Sequence, residues 1–291
     1  MDNRLLFRFY KVFHMQLGIS NIFTPQILIC TRIRVKKLII DKKTLNINIM
    51  VDVFKVFEEV VTNRRSIRVY DQEFFYDSEI VKKSLELALL SPNSSNMQLW
   101  EFYRIRTKEA KEKVAYFCMD QSAAKTASEL VVFVARPDKY KKSIQFNLDT
   151  IESPENFEKE NSKSRRRLYY KKVMNLFYSY DFLFLFSLLK KMLVFFIGLK
   201  RPIVREVTVV NKKVTIHKSV ALAAQTFMLA VKAQGYDTCP MEGFDSKRMK
   251  RYLKLPAKAE INMIISVGKG LPEGIFYIRK RFPYQEVVFE K

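Results

Sequence analysis

The sequence predicts an α+β fold. Two observations carry that expectation. Helical and strand patterns alternate along the chain, yet the strands are few and the helices long, which disfavours an extended doubly wound sheet. The 291 residues are 48% hydrophobic, enough to bury a substantial core in one large domain. The two common nucleotide loops, GxGxxG and GxxxxGK followed by Ser or Thr, are absent, and no internal repeat is visible.

Residues 1–49 are rich in Ile, Leu, Phe, Lys and Arg and contain little acid. Their apolar runs are short and broken by charge, so neither a secretory segment nor a membrane span is expected there. They read as an N-terminal extension: a basic amphipathic targeting segment, or residues upstream of a natural start at Met50. Residues 50–291 read as a single domain with an insertion at about 139–216.

The first clean amphipathic pattern runs from Asp52 to Thr62, with Val53, Phe57, Val60 and Val61 on one face and Asp52 placed to cap it. Arg64-Arg65-Ser66-Ile67-Arg68 follows. In an extended segment Arg64, Ser66 and Arg68 point the same way. Arginine's planar fork bonds two phosphate oxygens at once, so the trio suits an anion grip, although a solvated charged turn uses the same residues. Asp77 or Ser78 caps a second helix whose apolar stripe is Ile80, Val81, Leu85, Ala88 and Leu89, and Pro92 should end it.

Ser91–Trp100 is dense in hydrogen-bonding side chains: Asn93, Ser94, Ser95, Asn96 and Gln98, closed by the only tryptophan. It is either an ordinary polar connection or a wall for a flat polar ligand. Trp100–Ile105 alternates as a strand, and Lys108–Phe117 is a helix opened by Thr107. Leu130–Ala135 is a continuous apolar run that suits a central strand covered on both faces.

Residues 139–216 change character. Glu152–Lys172 is highly charged and includes Arg165-Arg166-Arg167. Phe182–Leu199 is very apolar, broken by Lys190 and Lys191. Two lysines mid-span count against a spanning helix. On a helix Ser187, Lys190 and Lys191 form a narrow polar stripe, so this reads as an amphipathic helix packed on the domain or on a partner subunit. A helix lying in a membrane interface is the alternative and is not favoured. Lys218–Gln234 is a helix with Val220, Ala221, Ala224, Phe227, Met228 and Val231 inward and Gly235 at its end. After Tyr236–Asp245, where Pro240–Gly243 reads as a turn, come a helix to about Leu253, a strand at Ile261–Val267, Arg279-Lys280-Arg281, and a strand-like Val287-Val288-Phe289.

The net charge of +22 invites a nucleic-acid reading. Its distribution argues otherwise: +7 lies in residues 1–49 and +11 in residues 139–218, leaving +4 for the rest. No nucleic-acid partner is expected. Cys30, Cys118 and Cys239 are far apart, with no CxxC pair, so no metal site is expected and free thiols suit a cytoplasmic location. His14 and His217 are the only histidines, and neither sits in a hydrolase motif.

Three features occur in order: Arg64-Arg65-Ser66-Ile67-Arg68, then Pro92-Asn93-Ser94-Ser95-Asn96-Met97-Gln98-Leu99-Trp100, then Cys239-Pro240-Met241-Glu242-Gly243-Phe244 after an Ala-rich helix. Together with the C-terminal Arg-Lys-Arg, this set resembles the nitroreductase family of FMN-dependent oxidoreductases. The resemblance covers roughly Asp52–Ala135 and Lys218–Lys291. It implies a mainly antiparallel central sheet flanked by helices, in a homodimer with FMN sites at the interface. It implies a ping-pong cycle in which NADH or NADPH reduces FMN and a nitroaromatic, quinone or similar small acceptor takes the electrons. Related reductases act on enones or halogenated phenols, and a flavin-binding or membrane-surface protein without activity is a further alternative.

Carried over residue by residue, the resemblance puts Arg64 and Ser66 on the FMN phosphate, with Arg65 contributing main-chain contacts and Arg279 or Arg281 completing the clamp. Arg68 would approach the pyrimidine side of the ring. Pro92, Asn93, Ser94 and Asn96 would come from the other subunit. Gln121 falls near an amide that contacts the flavin. Pro240 and Met241 lead into Glu242 and Gly243, which would flank N5, and no catalytic side-chain acid or base is needed. Leu99 stands where the family often has Pro, and Asn93 where Ser is common. Phe182–Leu199 would lid the pocket or extend the dimer.

Overall fold

The computed structural model describes residues 52–179 and 185–291. The expectations for residues 1–49, and for residues 182–184 of the apolar insertion helix, lie outside the described residues. The chain divides into two compact units, residues 1–59 and 60–291, and of the first only residues 52–59 are described.

Helix α1 occupies residues 52–63. Of the expected apolar face, Val53, Phe57 and Val61 are exposed.

Among the described residues, four strands form one sheet: β1 (Trp100–Ile105), β2 (Glu129–Ala135), β3 (Asp237–Met241) and β4 (Glu260–Gly268). Their order is β1-β2-β4-β3 and every neighbouring pair is antiparallel. β2 is buried at every position, as its unbroken apolar run predicts. The pleat sorts its side chains between two cores. Val131 and Phe133 join Val81, Ala88, Ala224 and Phe227 on one face. Leu130, Val132 and Val134 join Val114, Phe117 and Met249 on the other. The Glu129 carboxylate, buried at the start of β2, is held by Arg104 of β1 at 2.6 Å.

Helix α2 (Glu79–Ala88) packs Ile80, Val81, Ser84 and Ala88 inward and stops short of Pro92. Asp77 opens it, accepting from the Glu79 amide at 2.9 Å, while Ser78 makes no side-chain cap. Helix α3 (Lys108–Phe117) is capped by Thr107, which accepts from the Ala110 amide. The insertion supplies α4 (Tyr140–Glu152), α5 (Glu160–Leu168) continued by a π-helical stretch at Tyr169–Met174, and α6 (Leu185–Gly198). Helix α7 (Val209–Ala233) runs along the sheet, and α8 (Ser246–Tyr252) is capped by Asp245.

Four expectations are corrected. α7 starts at Val209, nine residues before Lys218, because Thr208 and Asn211 form a reciprocal capping box there. Its first turns continue into the core helix, whose first buried residue is Ile216. By length and composition α7 could cross a membrane, but half of its apolar stretch is buried inside the protein. Asp237–Met241 is a strand and not part of a turn: it lies at the sheet edge, where Pro240 is tolerated. Tyr284–Val287 is a helical turn, and the tail contributes no strand. In α6, Ser187 is buried, Lys190 half-buried and Lys191 exposed, so the polar stripe runs from the domain side to solvent and does not face solvent as a whole.

Candidate functional site

Past α1 the chain becomes extended and runs along the free edge of β3. Ser66 bridges Thr238 in parallel sense, Ile67 donates to the Thr238 carbonyl at 3.1 Å, and Tyr70 bridges Gly270. Burial does not alternate strictly along it, since Arg65 is half-buried like Arg64 and Ser66. Ile67 and Tyr70 are buried, while Arg64, Ser66 and Arg68 are half-buried. Ile67 fits only because Gly270 and Gly274 lack side chains: a Cβ at either would stand 2.8 or 2.7 Å from its methyl group. Tyr70 is pinned from below by Ser266, whose hydroxyl lies 2.8 Å from the phenol oxygen, and burial pushes the Tyr70 hydroxyl pKa well up.

The C-terminal segment returns to the same place. Arg65 donates to the Tyr277 carbonyl, and Arg279 donates to the Arg64 carbonyl. Arg281 is near enough for its charge to act on Arg64. Burial, and then the charges of Arg279 and Arg281, lower the Arg64 pKa from its ordinary value. None of the ion pairs among the described residues involves Arg64, Arg65, Arg68, Arg279 or Arg281. A cluster of guanidinium groups that repel one another without a counter-charge is a cradle for an anion.

Beside this cluster lies a cleft of about 370 Å³ lined by Arg68, Gln121, Cys239, Pro240, Met241, Glu242 and Phe276, among others. Arg68 is fixed over the Phe276 ring, 5.2 Å from its centroid. Gln121 does not leave its amide nitrogen to the cleft. That nitrogen donates to the Gly243 carbonyl at 2.7 Å and to the Cys118 carbonyl at 3.0 Å. It thereby ties the loop after β3 to the turn after α3. A Cβ on Gly243 would stand 3.3 Å from that nitrogen.

The structure thus brings together Arg64, Arg65, Ser66, Arg68, Arg279 and Arg281 with Gln121 and Pro240–Gly243. Pro92, Asn93, Ser94 and Asn96 do not line this cleft. They form a separate rim. Pro92, Ser94 and Asn96 are exposed, with the backbone between them in left-handed conformation at Ser95 and Asn96 (φ 54° and 50°). Asn93 accepts from the Gln98 amide at 2.9 Å and so closes the loop on itself. The insertion holds it from behind: Asn147 pairs with Asn96 through both side chain and carbonyl, and Tyr170 donates to the Ser95 carbonyl. Phe276 and the Tyr277 carbonyl escaped the sequence reading, because an aromatic pair in a tail gives no periodic signal.

The nitroreductase family model matches residues 61–269. Protein DrgA of Synechocystis sp. is 27% identical over 211 residues, covering 72% of this chain and 82% of that protein. The oxygen-insensitive NADPH nitroreductase of Helicobacter acinonychis is 24% identical over 227 residues, covering 77% and 91%. Among solved structures, one from Exiguobacterium sibiricum in complex with FMN superposes with a TM-score of 0.57 at 22% identity, covering 81% of this chain and 97% of that one. The enone reductase CLA-ER superposes with a TM-score of 0.59 at 18% identity, covering 80% and 97%. At these identities the structures speak to fold.

Proposed function

The chain belongs to the nitroreductase family, and from that premise we propose that it is an FMN-dependent oxidoreductase passing a hydride from NADH or NADPH, by way of the flavin, to a small-molecule acceptor. The observation that carries the reading is the convergence of Arg64, Arg65, Arg279 and Arg281 beside a cleft walled by Arg68, Gln121 and Pro240–Glu242. This fits the cofactor in both charge and shape. The arginines need an anion, and Ser66 offers a hydroxyl among them. When bound, FMN supplies the hydride chemistry itself.

The chain's own residues bind and orient. Arg64 and Ser66 hold the phosphate, with Arg279 and Arg281 as the outer half of the clamp. Arg68, placed over the Phe276 ring, would present a cation to the pyrimidine edge, where negative charge collects on reduction. Gln121 holds Gly243 by its carbonyl, which would set the Gly243 N–H for approach to N5, and the missing side chain of Gly243 permits that approach. No side-chain acid is required.

The rim of Pro92, Asn93, Ser94 and Asn96 is exposed and lies off this cleft, so the pocket is completed by the same rim of a second copy. The working form is a homodimer with two shared sites. Donor and acceptor use one face in turn, in a ping-pong cycle. Nitroaromatics, quinones, enones and halogenated phenols differ only as acceptors in that second half. The location is cytoplasmic, in keeping with the buried free thiols Cys118 and Cys239.

Equilibrium titration with FMN and with riboflavin, which lacks the phosphate, tests the reading. Wild-type protein binds FMN far more tightly than riboflavin. Arg64→Ala raises the FMN Kd by roughly tenfold to a hundredfold, the worth of a charge-assisted hydrogen bond, and leaves riboflavin unchanged. Equal affinity for both ligands in the wild type would sink the phosphate assignment.

A further inference from the structure

Helix α6 carries its amphipathicity the wrong way round for a helix in water. Ser187 and Val194 are buried against the domain, and the Lys190 ammonium on the same side donates to the Leu176 carbonyl at 2.8 Å. The opposite arc, about 160° wide at 100° per residue, carries Leu188, Met192, Leu193, Phe195, Phe196 and Leu199. These side chains are 51% to 69% exposed. A patch this continuous marks an interaction surface and is not the scatter of single apolar residues that any protein shows.

Cations border the patch. Lys191 is exposed on the shoulder of the helix, and Lys200 and Arg201 are exposed just past its end. Arg205 folds back to donate to the Gly198 carbonyl, 3.3 Å away, which puts a further cation at the C-terminal end of α6. The wider segment 139–218 carries +11.

We infer that α6 docks flat on an anionic lipid bilayer, with its apolar arc among the acyl chains and its bordering cations at the headgroups. The charge decides the occupant. Pairing α6 with α6 of a second copy would bring two like-charged borders together, whereas an anionic leaflet neutralises one of them. Length decides the mode. The fourteen described residues span about 21 Å, short of the roughly 30 Å hydrocarbon core, and Lys190 and Lys191 fall mid-way along the apolar run, so α6 lies in the interface and does not cross. No α6 residue lines the cleft of the same chain, and failure of this proposal leaves the oxidoreductase reading intact.

The test is co-sedimentation of the full chain with vesicles of phosphatidylcholine and phosphatidylglycerol, and with vesicles of phosphatidylcholine alone. Each cation near a charged leaflet is worth about fivefold in partitioning, so binding to the mixed vesicles exceeds binding to the neutral ones by about tenfold or more. Leu193→Glu with Phe196→Glu abolishes sedimentation while circular dichroism and melting stay unchanged, because both side chains are exposed. Lys200→Glu with Arg201→Glu keeps the apolar arc and removes the preference for anionic vesicles. Failure of the wild type to sediment with mixed vesicles at low salt overturns the proposal, as does sedimentation unaffected by Leu193→Glu with Phe196→Glu. So does light scattering in lipid-free buffer if that double variant alone lowers the mass of the assembly, since α6 would then be covered by another copy.

Discussion

One amide, that of Gln121, sets the position of the loop on which the proposed chemistry depends. Its nitrogen serves two carbonyls at once, Gly243 and Cys118, and beside it the Asp245 amide donates to the Phe117 carbonyl at 2.8 Å. Gln121→Leu keeps the volume of the side chain and removes both bonds. At about 1 kcal/mol net for each, the FMN Kd rises roughly thirtyfold, and the flavin midpoint potential shifts because the Gly243 N–H is no longer aimed. Unchanged affinity together with unchanged potential would show that the loop is held by other means. Arg64 is the counterpart at the phosphate end. Its charge is opposed by burial and by Arg279 and Arg281, so ligand binding relieves a repulsion already present in the protein.

Between elements, the clearest charge device is the clamp where β1 and β2 meet the insertion. Arg136 reaches both Glu101 and Asp138, and Lys139 reaches Glu101 as well. Hydrogen bonding from Arg136 lowers the Asp138 pKa against a smaller opposing effect of burial. For Glu101 burial raises the pKa, but hydrogen bonds from Lys139 and Tyr103 and the charge of Arg136 outweigh it, leaving it lowered. A carboxylate whose folded pKa is depressed stabilises the fold fully above its unfolded value, near 4, and loses that stabilisation as pH falls through the folded value. The melting temperature is therefore flat above about pH 5 and falls below it, and Asp138→Asn makes the fall shallower. A melting temperature equally high at pH 3 would contradict the clamp. At this scale the sequence was most legible where one period dominated. Helix α2, helix α3 and strand β2 were all evident from apolar spacing, and Thr107 from its capping chemistry. Strand β3 was hidden because Pro240 reads as a turn until its edge position is known. The start of α7 was hidden because its capping box uses Asn211 where Glu or Gln is the usual signal.

For the whole molecule, the candidate site divides into a part that one chain assembles and a part that it does not. The arginine cluster and the Pro240–Gly243 loop meet because the segment after α1, the edge strand β3 and the C-terminal segment run side by side. Arg64 to Arg68 and Pro240 to Gly243 stood out as motifs, but only the sheet order explains their meeting. The rim around Ser94 faces elsewhere in the same chain, which no spacing along a sequence reveals. Subunit mixing separates a shared site from a private one. Arg64→Ala and Ser94→Tyr homodimers both purify poor in FMN, and dimers formed from one subunit of each regain one intact site. If FMN content stays low in the mixed dimers, the rim and the arginines do not act across an interface.

The most direct measurement is an anaerobic spectrum of the FMN-loaded protein. Addition of NADH or NADPH should bleach the oxidised-flavin absorbance, and a quinone or nitroaromatic added afterwards should restore it without further donor. A protein that binds no FMN on reconstitution, or one whose bound flavin keeps its colour with either nucleotide, would contradict the account.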